Sequence, residues 1–331
     1  MRTKNERTYA IISGILMLTV ILDGKTALEN AIIGIDLCLR TVVPSLFPFF
    51  ILSGILNSSL LGQNIRFVRP IGRLCKIPSG SESILLLGLL AGYPVGAQLI
   101  GNAYRDGNLS RKSAARMVAF CNNAGPAFIF GILSTMFSSR STAWILWIIQ
   151  IASAIFVGAL LPSLPSETCV LVKDSKLSIT GAMNKAVKTM ASVCGWVIIF
   201  RVLLGFCEKW FLWRLPNTVQ VLISGLLELS NGCVRLQEVS SEGIRFVLAS
   251  ILLSAGGLCV TMQTLSVGEG VITHTYFLGK GVQILIATAL SAVVQVVLFS
   301  GSDHRRLPFG VMIALILAII FSIFLIFRKK M

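Results

Sequence analysis

Two asparagines, Asn122 and Asn123, stand side by side in FCNNAGPAFIFG, residues 120–131, and are followed by Gly125 and Pro126. A carboxamide donates and accepts hydrogen bonds without carrying charge, so its chemistry is recognition, not bond breaking. Proline removes a backbone N–H and clashes with the preceding turn, so a helix here must break and release backbone groups. In lipid such groups persist only where they line a cavity or meet a ligand. The half-helix that begins near Pro126 would present oriented N–H groups to an anion. A second stretch, SAGGLCVTMQ, offers an equivalent break with Ser254, Gly256, Gly257 and Gln263. Two further interruptions, Gly92-Tyr93-Pro94 with Gly96, and Leu229-Ser230-Asn231-Gly232, are expected to be hairpin tips that close the same site from two sides. Of these, Gly92, Tyr93, Pro94, Gly96, Asn122, Asn123, Gly125, Pro126, Asn231, Gly232, Gly256, Gly257 and Gln263 form the candidate substrate-binding set. One such motif is as readily a proline kink whose amides bond a neighbouring helix; four in a repeated order favour a site.

Three charged residues lie near these breaks. Glu228, beside the second hairpin tip, is the candidate for proton or cation coupling, the alternative being a partner for a hairpin backbone N–H. Arg201 is a candidate anion contact, or a side chain near a span end that snorkels to the interface. Asp36 and Arg40, four apart with the acid first, are expected to pair with each other. No nucleophile elbow, phosphate-cradling loop or zinc-protease signature occurs, so enzymatic activity is not expected. The eight cysteines, Cys169 among them, show no CxxC spacing, and His274 and His304 have no ligand-spaced partners; neither a metal site nor a cofactor is expected.

The elements that must position these residues follow from composition. The chain has 331 residues, 55% hydrophobic and 13% charged, with a mean hydropathy of +0.83, which excludes an ordinary soluble domain. Apolar segments recur at 8–23, 30–59, 83–104, 112–138, 142–162, 181–206, 217–237, 244–266, 281–300 and 307–327. Most approach the roughly 20 residues a helix needs to cross the hydrocarbon, and helices are the default spanning element. The net charge of +15 is distributed as short basic loops between segments, the pattern of topology signals and not of a nucleic-acid surface. Both termini are expected to face the cytoplasm of a bacterial cell, and the first apolar segment reads as a retained span.

Three weak internal matches occur in the same order. PSLFPFFILSG from Pro44 pairs with GWVIIFRVLLG from Gly195, GLLAGYPVGAQL from Gly88 with GLLELSNGCVRL from Gly225, and NNAGPAF from Asn122 with LSAGGLC from Leu253. The division predicted is an N-terminal span (1–29), a first repeat (30–162), a cytoplasmic linker (163–180) and a second repeat (181–331). With hairpins that do not cross, 16 Lys and Arg fall inside, Lys280 among them, against 8 outside; with crossing hairpins the split is 14 to 10. The positive-inside rule thus favours an all-α polytopic membrane protein with about eight transmembrane helices, two re-entrant hairpins and inverted halves with broken helices.

GLLAGYPVGAQLIGNAYRDGNLSRKSAARMVAFCNNAGPAFIFG, GLLELSNG and GGLCVTMQ resemble the YlbJ-type sporulation integral membrane proteins, which carry the nucleoside-recognition (Gate) domain; the likeness runs from about 30 to 300. The sequence departs at Cys259, where a serine is expected in the GGLSV block. The resemblance implies movement of dipicolinic acid from mother cell to forespore across the outer forespore membrane, and a distant similarity to concentrative nucleoside transporters. Its implied partners are a small-molecule anion and the lipid bilayer, without nucleic acid; assembly as a homo-oligomer is left open. The alternatives are a nucleoside or nucleobase transporter of the same fold, and a non-transporting membrane scaffold for spore assembly.

Overall fold

The computed structural model describes residues 4–162, 178–268 and 270–299, which form helices and connecting turns without a β-strand. The linker core, Cys169, His304 and the apolar segment 307–327 lie outside the described residues. Helix α1 (Lys4–Leu22) leads into α2 (Gly24–Leu37), which continues through one π-helical turn, Cys38–Val42, into α3 (Val43–Leu60). The wider turn immediately precedes Pro44 and Pro48, which cannot complete the regular hydrogen-bond ladder. After short α4 (Arg69–Leu74) come α5 (Glu82–Leu90) and α6 (Val95–Arg105), packed as a hairpin. Helix α7 (Arg111–Val118) ends before a non-helical stretch that carries the asparagines, α8 (Pro126–Gly131) resumes, and α9 (Ser141–Leu160) closes the first half.

The same order of elements then recurs. Long α10 (Ile179–Trp210) is followed by a hairpin of α11 (Asn217–Leu227) and α12 (Leu229–Arg235). Next come α13 (Glu242–Ala255) and α14 (Gly257–Val267), separated at Gly256, and long α15 (His274–Phe299). Gly256 and Gly257 have φ of +71° and +78°, in the left-handed region that glycine alone enters at low cost, which is why the helix breaks there.

Among the described residues five helical stretches are long and apolar enough to cross a membrane: Gly24–Leu60, Ser141–Leu160, Ile179–Trp210, Glu242–Val267 and His274–Phe299. The hairpin arms are shorter; α6 and α11, with 11 residues each, extend only roughly 16 Å, about half the hydrocarbon thickness. Burial is inverted relative to a soluble bundle. On α15 the buried stripe is Tyr276, Gly279, Lys280, Gln283, Ala287, Leu290, Ser291 and Val294, at three- and four-residue spacing. Its opposite face exposes Phe277, Leu278, Leu285, Val293 and Val296. Polar side chains face protein and carbon faces outward, which is stable only in lipid. The chain is therefore an all-α polytopic membrane protein.

Close backbone contacts bind each hairpin to the broken helix of its own half. A Cβ on Gly96 would lie 1.8 Å from the Cys121 carbonyl oxygen, and one on Gly88 2.3 Å from the same atom. In the second half a Cβ on Gly257 would lie 2.6 Å from the Gly225 carbonyl oxygen. Buried Arg116 joins further ends, donating to the carbonyls of Cys75 (2.6 Å), Gly158 (2.6 Å) and Pro162 (2.9 Å), where α4 and α9 leave acceptors unpaired.

Because the Gly96 contact is with backbone, Gly96→Ala cannot be relieved by a rotamer change. We expect a loss of about 1–3 kcal/mol, read as a lower thermal unfolding midpoint in detergent. Gly14→Ala, where the added carbon meets nothing within 4 Å, should leave the midpoint unchanged; equal behaviour of the two would refute the contact.

Candidate functional site

The two breaks meet around one lysine. Lys280 lies on the inward stripe of α15, roughly 9 Å from its start. Its Nζ donates to the Asn122 carbonyl (2.6 Å), to Gln283 Oε1 (2.9 Å) and to the Tyr93 hydroxyl oxygen (3.2 Å), with Asn123 Oδ1 at 3.5 Å. The surrounding groups are oriented by their own bonds. Tyr93 spends its proton on the Leu253 carbonyl at 2.9 Å, Gln283 Nε2 donates to Asn123 Oδ1 at 2.8 Å, and Asn123 Nδ2 donates to the Phe120 carbonyl at 2.7 Å. Every atom turned toward Nζ is thus an acceptor. Three acceptors match the three N–H bonds of an ammonium, whereas a neutral amine would direct a lone pair at oxygen. An ammonium at Lys280 would find an acceptor for each of its N–H bonds.

No carboxylate among the described residues lies within ion-pair distance of that cation. Burying an ion costs several kcal/mol even after relaxation, and hydrogen bonds from neutral oxygens return only part of it. An unneutralised cation in a membrane core is a strong attractant for an anion. The remaining polar groups complete the network: Asn122 Nδ2 donates to Thr264 Oγ1 at 2.9 Å, Gln150 Nε2 to the Leu253 carbonyl at 3.1 Å, and Ser254 Oγ to Gln150 Oε1 at 3.1 Å.

Beside this network is a cavity of about 50 Å³. Its wall includes Thr41 and Ser45 at the α2–α3 junction, Tyr93, Ala124 and Gly125, Glu228 and Ser230, and Gln263. Tyr93 belongs to both places, lining the cavity while its hydroxyl meets Lys280; its ring also lies under the ammonium, 5.0 Å from Nζ to centroid. It is a partition between cavity and cation.

Of the sequence-predicted residues, Tyr93, Gly125, Gln263 and Glu228 line the cavity. Asn122 and Asn123 are fully buried in the network behind it, so the freed backbone is satisfied largely by the protein's own side chains. Gly92 packs on Gly125, a Cβ there standing 2.9 Å from the Gly125 nitrogen, and a Cβ on Gly256 would stand 3.2 Å from the Tyr93 ring. Gly96, Gly232 and Gly257 make close backbone contacts, Pro94 caps α6, and Pro126 opens α8. With six residues, α8 is too short to carry the anion-attracting dipole expected of it; Lys280 supplies the positive charge. Gln263 Nε2 donates to Cys259 Sγ at 3.3 Å, at the position where the resemblance called for serine.

Three expectations are corrected. The second hairpin turns at Glu228, and Leu229, Ser230, Asn231 and Gly232 already belong to α12. Glu228 caps that helix, accepting from Asn231 N at 2.8 Å and Asn231 Nδ2 at 2.7 Å. Arg201 does not snorkel: it is buried and forks onto Glu208 at 3.2 and 2.9 Å, and Glu208 also takes Arg235 at 3.0 Å. Lys280 does not belong among cytoplasmic loop charges. Asp36 and Arg40 do pair. Among the described residues the seven cysteines are free thiols, and no group of three His, Cys, Asp or Glu could hold a metal. Lys280, Gln283, Gln150 and Thr264 were missed; the usable signal was Lys280 and Gln283 three apart on the polar side of an apolar helix.

A broken-helix junction enclosing a buried lysine in a polar network defines a polytopic membrane protein with a buried polar site. The chain is similar to the "Sporulation integral membrane protein YlbJ" of Bacillus subtilis (strain 168), with 26% identity over 329 aligned residues, covering 83% of this chain and 78% of the relative. That supports its assignment as a YlbJ-type protein. No protein-family model matches the chain, and the likeness to the Gate domain stands on the quoted motifs alone. No solved structure matches it.

Tyr93→Phe keeps the ring and deletes the hydroxyl that bridges Lys280 to Leu253. Removing a partner from a buried charged group should cost about 1–3 kcal/mol, measured by unfolding in detergent. A change below about 0.5 kcal/mol, the range of an inconsequential surface substitution, would mean the hydroxyl is no bridge.

Proposed function

We propose that the protein is a sporulation membrane transporter that moves dipicolinic acid, a small dicarboxylate anion, across the outer forespore membrane. The observation that carries this reading is the buried Lys280 Nζ, ringed by oxygen acceptors that suit an ammonium and without a neighbouring carboxylate. A carboxylate would supply the missing charge and replace neutral oxygens with a charge-assisted bond. A nucleoside is neutral and would leave the ion as costly as before, so the nucleoside alternative gains nothing from it. The name of the Bacillus relative supports the sporulation context.

On this reading the halves 30–162 and 181–331 are inverted repeats, the hairpins are re-entrant, and both termini are cytoplasmic. The protein works by binding and movement, without chemistry on its cargo. A volume of about 10–15 Å³ accommodates one water-sized probe, so a cavity of about 50 Å³ holds only a few waters and not a ring with two carboxylates. The structure then corresponds to a closed state. On this reading Tyr93 swings off Lys280 for the cargo to enter, and Gln263 and Ser230, on the cavity wall, would meet its second carboxylate. Glu228 shares that wall; a proton on it would remove its repulsion of the dianion, which is the coupling role proposed for it.

Uptake of labelled dipicolinate into proteoliposomes tests the proposal. Wild type should show saturable uptake that unlabelled uridine does not inhibit. Lys280→Met should reduce it roughly 10- to 100-fold, the loss of one charge-assisted bond of about 1.5–3 kcal/mol, and Asn123→Ala should weaken it by disordering Gln283. Inhibition by uridine would return the nucleoside reading. Absence of uptake and binding by well-folded protein would discard transport in favour of the scaffold.

A further inference from the structure

A second cavity, of about 340 Å³, lies away from Lys280. It opens where α7 and α15 begin and α9 has just ended, lined by Arg111, Lys112, Arg116, Leu161, Pro162 and Thr273, among others. Because α9 and α15 are long enough to span, their ends place this cavity at a membrane surface. Three of its wall residues are cations and none is an acid. The Arg116 guanidinium spends its donors on carbonyls, so it contributes charge and holds the wall in place. Arg111 and Lys112 are exposed and have no ion-pair partner among the described residues. Thr273 Oγ1 is buried without a hydrogen-bond partner. Much of the remaining surface is carbon, from Ala115, Leu161 and Pro162.

We propose that this cavity is a phosphoryl-binding site at the membrane surface. A guanidinium and an ammonium side by side match the several oxygens of a phosphoryl group, and the starts of α7 and α15 add oriented N–H groups on the same side. The carbon wall suits the glycerol and first methylenes behind an anionic phospholipid head, the most abundant phosphoryl source at this depth. The inference does not depend on what Lys280 binds.

The test is the thermal unfolding midpoint of the full-length protein in neutral detergent, titrated with phosphatidylglycerol, phosphatidylcholine or inorganic phosphate. Wild type should be stabilised by phosphatidylglycerol and not by phosphatidylcholine. Arg111→Gln/Lys112→Gln should weaken the apparent affinity roughly thirtyfold, about 2 kcal/mol at about 1 kcal/mol per basic side chain. Arg66→Gln/Arg73→Gln removes the same charge from exposed positions elsewhere and should change nothing. Stabilisation by inorganic phosphate that only the first variant loses would identify free phosphate as the source. Stabilisation by neither, or equal loss in both variants, would overturn the site.

Discussion

Everything near the centre of this protein answers to one constraint: in a membrane, a backbone group released by a broken helix must find another partner. The chain breaks two helices, at residues 119–125 and at Gly256, and so releases carbonyls at membrane depth. The Asn122 carbonyl is taken by Lys280, the Phe120 carbonyl by Asn123, and the Leu253 carbonyl by Tyr93 and Gln150. Each half supplies the other's partners, since Lys280 comes from the second half and Tyr93 from the first. The polar network therefore ties the two breaks to each other, although Asn123 satisfies the Phe120 carbonyl within its own half.

The glycines serve the same constraint from the opposite side. Polar side chains can reach a freed carbonyl only if the hairpin backbone approaches within van der Waals contact, and Gly88 and Gly96 against Cys121 permit that approach in the first half. Gly257 against Gly225 permits it in the second. Small residues at helix contacts are the usual means of close packing in lipid, where no hydrophobic force drives helices together. Of the glycines assigned to a ligand from sequence, Gly92, Gly96, Gly232 and Gly257 meet neighbouring backbone, Gly256 meets the Tyr93 ring, and Gly125 both meets backbone and lines the cavity.

What could be read from sequence was the local grammar. Pro126, the paired Gly256 and Gly257, and the GYP tip at 92–94 force interruptions wherever they occur, and each interruption appeared near its expected place. Lys280 was easily misread for a physical reason. Flanked by Gly279 and Gly281 ahead of an apolar run, it has the composition of a span's basic border, and only the packing of α15 against α7 and α13 carries it inside. Arg201 misled in the same way. Its partner Glu208 is two turns further along one helix, and their joint burial depends on Arg235 arriving from α12.

The two cationic places differ in what their surroundings allow. Lys280 is enclosed by oriented acceptors, so any anion that reaches it must displace Tyr93 and leave the Leu253 carbonyl to Gln150 alone. Opening is thereby penalised unless the arriving charge offsets the lost bonds, and a neutral ligand has nothing to offset them with. Arg111 and Lys112 stand in solvent with no such network to break, so occupancy there requires no rearrangement and follows local concentration and salt. If both places bind anions as proposed, the deep lysine would select by charge through a conformational cost, and the surface cations only by contact. On the proposed transport reading, discrimination among anions would be exercised at Lys280, with Tyr93 as the element whose movement is conditional on what enters.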